Sequence, residues 1–579
     1  MTRTPERSAG ELVFLPLGGV GEIGMNMGLY GFGPVRHRKW LMVDCGVTFG
    51  NETTPGVDVI LPDPAFIEAA RDDLVGIVLT HAHEDHIGAV LELWPRLRAP
   101  VFATPFTAGL LEAKAGEEFG LEKVPITVMQ QGARWTLGPF DLELVPVSHS
   151  IPEPNALVIR TALGTVVHSG DWKIDPTPGI GLAIDLARFA ELGAEGVRAF
   201  VCDSTNAIRS GRSPSEQDVA RSLVDIIRAA PARVAVTTFA SNVARLRAVM
   251  LAAAAADREV VVMGRSMLRV LDVAGELGYL DGLKAPLDEE AYGYLPREKV
   301  VALLTGSQGE PRAALARIAS DDHRRVALSP GDLVIFSSRT IPGNEKAVGA
   351  IVNALATRGV DVLTDRDALV HVSGHPRRDE LAELYGLLKP EVSIPVHGEP
   401  LHLAEHAKFA RSLGVREVVS LTDGKIVRLA PGPAAVVGEA PFGHLYRDGR
   451  LLLDPEESGM ADRRRISFAG AIVVSVGLDG AGDVVHGPEV VLLGIPEHDA
   501  DGEPFEDIVV KAVEGALVSI PRPRRRDAAL VAEALRRAAR SAVAERWGKK
   551  PVCRVVATTD AVASEAVVER QGGGKRRRR

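Results

Sequence analysis

The run Thr80-His81-Ala82-His83-Glu84-Asp85-His86 follows directly on the apolar stretch LVGIVL. A loop leaving a buried strand end is a rigid place to hold ligands. His81 and His83 can face one ion, while Asp85 and His86 face a second. Imidazole with carboxylate suits zinc, manganese or similar divalent ions. The bland alternative, a solvated polar loop, does not account for H-x-H-x-D-H spacing. A chain that carries this string must deliver its remaining ligands to the same edge.

The order of apolar runs shows how it can. LVFLPL (12–17), KWLMVDCG (39–46), LVGIVLTH (74–81), DLELVPVSH (141–149), TVVHSGD (165–171) and VRAFVCDS (197–204) are short, rich in Val, Leu or Ile, and bounded by turn residues. They predict buried strands in an α/β layered fold. Beyond about residue 206 the rhythm changes. RVAVTTF (233–239), EVVVMG (259–264), KVVALLTG (299–306) and DLVIFSS (332–338) alternate with helical stretches such as Asn242–Ala256. That spacing predicts βαβ units and a parallel sheet. HVSGH (371–375) and EVSIPVHGE (391–399) resume the strand-and-histidine character of the first region. The predicted organisation is therefore a first domain over 1–205, an inserted domain over 206–370, and a return to the first domain over 371–428. A Pro/Gly-rich linker is expected over 429–460, a small α/β domain over 461–565 and a disordered basic tail over 566–579.

Composition narrows the classes. At about 150 residues per domain, 579 residues imply two to four domains. The longest apolar run, Ala248–Ala256, falls far short of the roughly 20 residues that cross a bilayer. The N-terminal stretch lacks the pattern of a secretory signal. The three cysteines, Cys45, Cys202 and Cys553, are too far apart for a CxxC site or a disulfide framework. A cytoplasmic setting fits, and any metal must be held by His and carboxylate. A net charge of −9 argues against a nonspecific nucleic-acid coat, but leaves room for a local basic channel.

Further His and Asp residues stand at predicted strand ends: His149, Asp171 and His397. With Asp44 and THAHEDH they resemble the five motifs of the metallo-β-lactamase superfamily. The long gap between Asp171 and His397 holds the inserted domain, which resembles the β-CASP cassette, with Asp203, His375 and His397 at its motif positions. The strings LGGVGEIGMNM, VDVILPD, HSIPEP, GDWKID, DSTNA, TTFASN, GRSM, TGSQGEP, IFSSRTIPGNE and HVSGH together make the chain similar to bacterial ribonuclease J over about residues 12–425.

The resemblance implies an αββα metallo-β-lactamase sandwich with an inserted parallel-sheet β-CASP domain and a small α/β C-terminal domain. It implies two divalent ions, zinc first and manganese or magnesium as alternatives. His81, His83 and His149 would hold one ion, Asp85, His86 and His397 the other, and Asp171 would bridge them. Asp44 would orient the ligand loop. Asp85, Asp203 and His375 are the catalytic candidates; His375 would protonate the leaving oxygen while Asp203 fixes its tautomer. Ser241, Asn242, His371, Val372, Ser373, Gly374 and His375 would contact RNA, although Ser241 and Asn242 could equally cap a helix.

The implied activity is metal-dependent 5′→3′ hydrolysis of single-stranded RNA from a 5′-monophosphate end, with internal cleavage also known in the family. Roles in mRNA decay and rRNA maturation follow, as does a homodimer or homotetramer assembled through the C-terminal domain. A β-CASP nuclease acting on DNA, a small-ester hydrolase and a metal-free RNA-binding scaffold are the competing readings. Ala244 departs from the pattern, since the family carries His there, and predicts an altered RNA contact. Gly19-x-Gly21-x-x-Gly24 matches a dinucleotide fingerprint, but NMGLYGFG after it reads as strand and turn. These glycines are expected to let a hairpin pass close to the metal loop. The arginine runs 463–465 and 524–526 and the terminal Lys575–Arg579 read as solvated surface or as attraction for RNA.

Overall fold

The computed structural model describes residues 10–117, 122–341 and 343–558. The basic tail expected over 566–579, the end of the predicted C-terminal domain and Lys575–Arg579 lie outside the described residues. The chain divides into two compact units, Met1–Phe49 with Val59–Leu445, and Gly50–Asp58 with Tyr446–Arg579.

The first unit contains the αββα sandwich. Its two mixed sheets have eight and seven strands. In the first, Lys39–Val43 and Leu74–Val78 are adjacent and parallel, with Val43 opposite Val78. In the second, Gly164–His168, Ala199–Asp203 and Val392–Val396 are parallel neighbours. Buried side chains from both sheets share one core: Phe14, Tyr30, Leu41 and Val78 from the first, Leu142, Leu157, Val201 and Ile394 from the second. The alternate residues Val158, Phe200 and Cys202 point the other way, into a layer formed with Phe189, Leu192, Leu384 and Tyr385 of two helices. Strands buried on both faces need the near-continuous apolar runs seen in the sequence.

Between Asp203 and Val392 the chain builds a five-stranded parallel sheet, ordered Glu259–Met263, Val300–Leu304, Val234–Thr237, Leu333–Phe336 and Asp361–Leu363. It is the parallel cassette that the alternating rhythm predicted.

Two expectations change. The stretch 429–460 is not a linker. Lys425–Ala430 and Ala435–Glu439 form a hairpin at the edge of the eight-stranded sheet, and Tyr446–Asp448 pairs with Leu451–Leu453 in the second unit. The Pro and Gly that suggested a linker make the hairpin turn, where Gly432 takes φ 75°. HVSGH is likewise a loop and not a strand, since its polar groups bond to side chains instead of a ladder.

The second unit holds a three-stranded sheet, Val484–Leu493, Ala471–Leu478 and Val552–Thr558, backed by helices Phe505–Ser519 and Ala528–Trp547 around Ile472, Val474, Val509, Leu535 and Val543. Among the described residues no helix is long and apolar enough to cross a membrane.

Candidate metal centre

Each predicted ligand leaves the carboxyl end of a strand. His81 follows Leu74–Val78, His149 follows Phe140–Pro146, Asp171 follows Gly164–His168 and His397 follows Val392–Val396. The last two strands lie on either side of Ala199–Asp203 and run parallel to it, so Asp203 arrives at the same edge. The short helix Glu84–Ile87 opens just after His83 and turns Asp85 and His86 towards the site.

Three groups of ligand atoms result: His81, His83, His149 and Asp171 in the first, Asp85, His86, Asp171 and His397 in the second, and Asp171, Asp203, His375 and His397 in a third, which overlaps the second through Asp171 and His397. In the first, His83 Nδ1 lies 3.1 Å from His81 Nε2 and 3.0 Å from His149 Nε2. Asp171 Oδ2 is 3.7 Å from His81 Nε2 and 3.6 Å from His149 Nε2. In the second, Asp171 turns its other oxygen, Oδ1, to His86 Nε2 at 3.3 Å and His397 Nε2 at 3.5 Å. Asp85 Oδ2 lies 3.7 Å from both of those nitrogens.

The arrangement fits metal better than hydrogen bonding. Three ring nitrogens facing one another cannot all be satisfied by protons. Zinc–nitrogen bonds of about 2.05 Å imply a tetrahedral edge of about 3.3 Å, close to these separations. Asp171 Oδ1 and His397 Nε2 are buried and have no hydrogen-bond partner among the described residues, which two lone pairs aimed at a cation explain.

The outward ring nitrogens are held. His86 Nδ1 donates to Asp44 Oδ2 at 2.7 Å, and Thr80 Oγ1 donates to the same oxygen at 2.9 Å. The Thr80 hydroxyl therefore accepts from His81 Nδ1, 3.0 Å away. His149 Nδ1 donates to Gly374 O at 2.7 Å. His397 Nδ1 donates to Asn26 Oδ1 at 3.1 Å. These bonds fix the tautomer that leaves each Nε2 free for metal. Asp44 and His397 both sit at positive φ, 64° and 53°, backbone strain of the kind concentrated at functional sites. Burial, reinforced by neighbouring imidazoles, holds His81 and His149 well below the usual histidine range and His83 at about 4. All three are thus in the neutral, ligating form.

His375 stands beside this centre. Its Nδ1 donates to Asp203 Oδ2 at 2.8 Å and lies 3.8 Å from Asp171 Oδ2. Burial opposes its protonation, but Asp203 and then Asp171 outweigh burial and raise it to about 9. Asp203 Oδ1 accepts from Thr205 N.

The expected RNA-contact residues divide. Asn242 Oδ1 caps the helix Val243–Ala255 by accepting from Arg245 N at 2.9 Å, so the capping reading holds for it. Ser241 stays half-exposed just before that helix. Val372 is buried. Ser373 Oγ is taken by Asn206 Nδ2 at 2.8 Å. Gly374 also meets a packing requirement: a Cβ there would lie 2.4 Å from the His149 ring. His371 Nδ1 is buried without a partner, with the cations Arg245, Lys173 and Arg339 near it. Ala244 is buried in its helix. The Gly19–Gly24 loop binds no helix start. Gly19 O accepts from His397 N and Gly21 N donates to Gly398 O, which brings the loop against the metal-ligand loop as expected.

Sequence reasoning missed Asn26, Thr80 and the buried ion pair Arg245–Glu216, 2.8 Å. Asn26 lies inside the string LGGVGEIGMNM, which signalled the family but not the residue's task.

The chain matches four family models: the β-lactamase superfamily domain over residues 39–189, the ribonuclease J β-CASP domain over 231–355, the Zn-dependent metallo-hydrolase RNA specificity domain over 359–419 and the ribonuclease J C-terminal domain over 459–559. It is 57% identical to the ribonuclease J of Sinorhizobium meliloti over 95% of this chain and 97% of that protein. Identity is 39% to the ribonuclease J of Corynebacterium glutamicum, over 95% of this chain and 76% of that one. It is 38% to that of Mycolicibacterium smegmatis, over 95% and 97%. A crystal structure of a protein of unknown function from Enterococcus faecalis superposes with a TM-score of 0.50 at 16% identity, over 72% of this chain and 100% of that one, a likeness of fold alone.

Proposed function

The chain belongs to the ribonuclease J family of metallo-β-lactamase nucleases, which hydrolyse RNA phosphodiesters, and from that premise we propose that it removes nucleotides 5′→3′ from single-stranded RNA bearing a 5′-monophosphate. Internal cleavage is a second activity of the same centre. The observation that carries the end preference is His371, whose buried Nδ1 has no hydrogen-bond partner among the described residues and feels the charges of Arg245, Lys173 and Arg339, four residues before His375 of the His375–Asp203 pair.

Two divalent ions fit the first two ligand groups, with zinc first for five imidazoles and manganese or magnesium as alternatives. Bound there, they supply charge neutralisation at the scissile phosphate and an activated water. The residues do the rest. Asp171 holds both halves of the centre in register through its two oxygens. Asp85 completes one half. His375, protonated and oriented by Asp203, gives its proton to the departing O3′ as the P–O3′ bond breaks and the water oxygen bonds to phosphorus. The shortened RNA then carries a new 5′-monophosphate, the same end group proposed for the His371 site. Such an enzyme serves mRNA decay and rRNA maturation in the cytoplasm, as a homodimer or homotetramer.

The test is one RNA carrying a 5′-monophosphate, a 5′-triphosphate or a 5′-hydroxyl, with and without chelator. Chelator-sensitive release of mononucleotides, fastest from the monophosphate, is expected. Internal cuts that ignore the 5′ end would make the enzyme chiefly an endonuclease.

A further inference from the structure

The second unit carries a surface for which the metal centre has no use. Phe468, near the end of the helix Met460–Ala469, is 69% exposed. Its ring is not loose. Lys549 Nζ donates to Phe468 O at 3.0 Å and lies 4.6 Å from the centroid of the Phe468 ring. The same ammonium lies 4.8 Å from the Trp547 ring. A lysine bonded to a terminal helix carbonyl is by itself a cap, but a cap does not require one cation shared between two rings.

The helix extends the pattern. Asp462, Arg465 and Phe468 follow at three-residue intervals and so lie along one face. Arg465 and Arg554 both reach Asp462, at 3.6 and 4.0 Å, and both side chains stay more than two-thirds exposed. Lys549 at the ring, with Arg465 and Arg554 at Asp462 of the same helix, thus set three cations beside that one carboxylate. In a chain of net charge −9 this is a local positive surface carrying an exposed aromatic ring.

We propose that this surface of the second unit is a docking platform for single-stranded RNA, a base stacking on Phe468 and the adjoining phosphates lying against Arg465 and Arg554. The proposal rests on RNA being the substrate. Stacking accepts every base, because each has a π-face, and guanidinium–phosphate contact is equally indifferent to sequence. That combination suits an enzyme that must hold RNA of any sequence while it is shortened. A second copy of this chain would find less here, since a ring of exposed cations gives two like surfaces a charge to overcome.

The full-length, metal-loaded chain is assayed on a long unstructured oligouridylate and on a tetranucleotide, both 5′-monophosphorylated. In Phe468→Ala, KM for the long substrate should rise about tenfold, with kcat and the tetranucleotide kinetics unchanged. Phe468→Tyr should stay within about twofold of the parent, because it keeps the stacking face. Arg465→Gln with Arg554→Gln should flatten the salt dependence of kcat/KM for the long substrate by about 1.4 in log–log slope. An unchanged KM in Phe468→Ala overturns the platform. So does a rise in KM accompanied by a change of mass in sedimentation, which would make the patch a contact between copies. If the parent cleaves neither RNA, the substrate reading itself fails.

Discussion

Asp203 accepts a 2.8 Å hydrogen bond from Nδ1 of His375, and the two residues are 172 positions apart in sequence. The bond turns the other ring nitrogen of His375 outward and supports its protonated form. In the proposed mechanism the protonated acid is the active form, so the rate should be held below its pKa and lost as pH rises through it. Asp203→Asn removes the anion that does most to raise that pKa. We expect kcat to fall by about 10²–10⁴ and the alkaline loss of activity to begin at lower pH. Metal content, read by elemental analysis, should stay near that of the parent. Loss of metal in this variant would instead make Asp203 part of the metal centre.

Asp171 is the one residue shared by the first two ligand groups, and it belongs to the third as well. Asp171→Asn should therefore depress occupancy of both positions, whereas His397→Ala should empty mainly one. Elemental analysis of the purified chains should give close to two, below one and about one divalent ions for the parent, Asp171→Asn and His397→Ala. Equal depletion in both variants would show that the two positions fill only together.

Asn26 touches the centre at three ligands: its Oδ1 accepts from His397 Nδ1, its Nδ2 donates to Asp85 O at 3.0 Å, and Nδ2 lies 3.1 Å from His86 Nε2, yet no spacing in the sequence could reveal it. Asn26→Ala leaves His397 Nδ1 without its acceptor and the ring free to turn. Metal affinity should fall about 10–100-fold, the usual cost of losing such an outer partner. The change is readable as chelator sensitivity of activity, with a fold unchanged by circular dichroism.

Gly374 packs its backbone against the His149 ring while its carbonyl accepts from that ring. Its φ is not left-handed, so alanine fits the backbone and the conflict is steric alone. Gly374→Ala should displace His149 and lower activity by at least about tenfold, with reduced metal content. A variant with full metal and full activity would show that the loop moves aside at little cost.

What could be read from the sequence was local. H-x-H-x-D-H places four residues of the centre, His81, His83, Asp85 and His86, within one strand end and one helical turn, so spacing alone exposed them. His149, Asp171 and His397 were visible because each ends an apolar run. The outer partners were not visible, since Asn26 and His397 are 371 positions apart and an asparagine in a glycine-rich string has no periodicity. The packing of Gly374 against His149 was not visible either, because a sequence does not show what a missing Cβ avoids. The stretch 429–460 misled in the same way. Composition registered the Pro-Gly turn at 431–433, while the short strands on either side gain their stability from pairing at a sheet edge that composition does not see.

Glu143 offers a test of stability away from the chemistry. Its side chain is 4% exposed and accepts from Arg188 Nε at 2.8 Å, Arg160 Nη2 at 2.6 Å and Arg134 Nη2 at 2.8 Å. Burial pushes this carboxyl up, but the three guanidiniums outweigh burial and hold it at about 2, below the ordinary 4.5. A folded value below the unfolded one stabilises the protein fully above the unfolded pKa. That contribution drains away as pH falls from about 4.5 towards about 2. Glu143→Gln should therefore cost about 1–3 kcal/mol at pH 7, discounted because Arg134 is largely exposed. The gap between variant and parent in the urea midpoint should narrow when the measurement is repeated near pH 3. A gap of the same size at both pH values would mean that Glu143 acts through packing, since only an ionised carboxylate loses its contribution in that window.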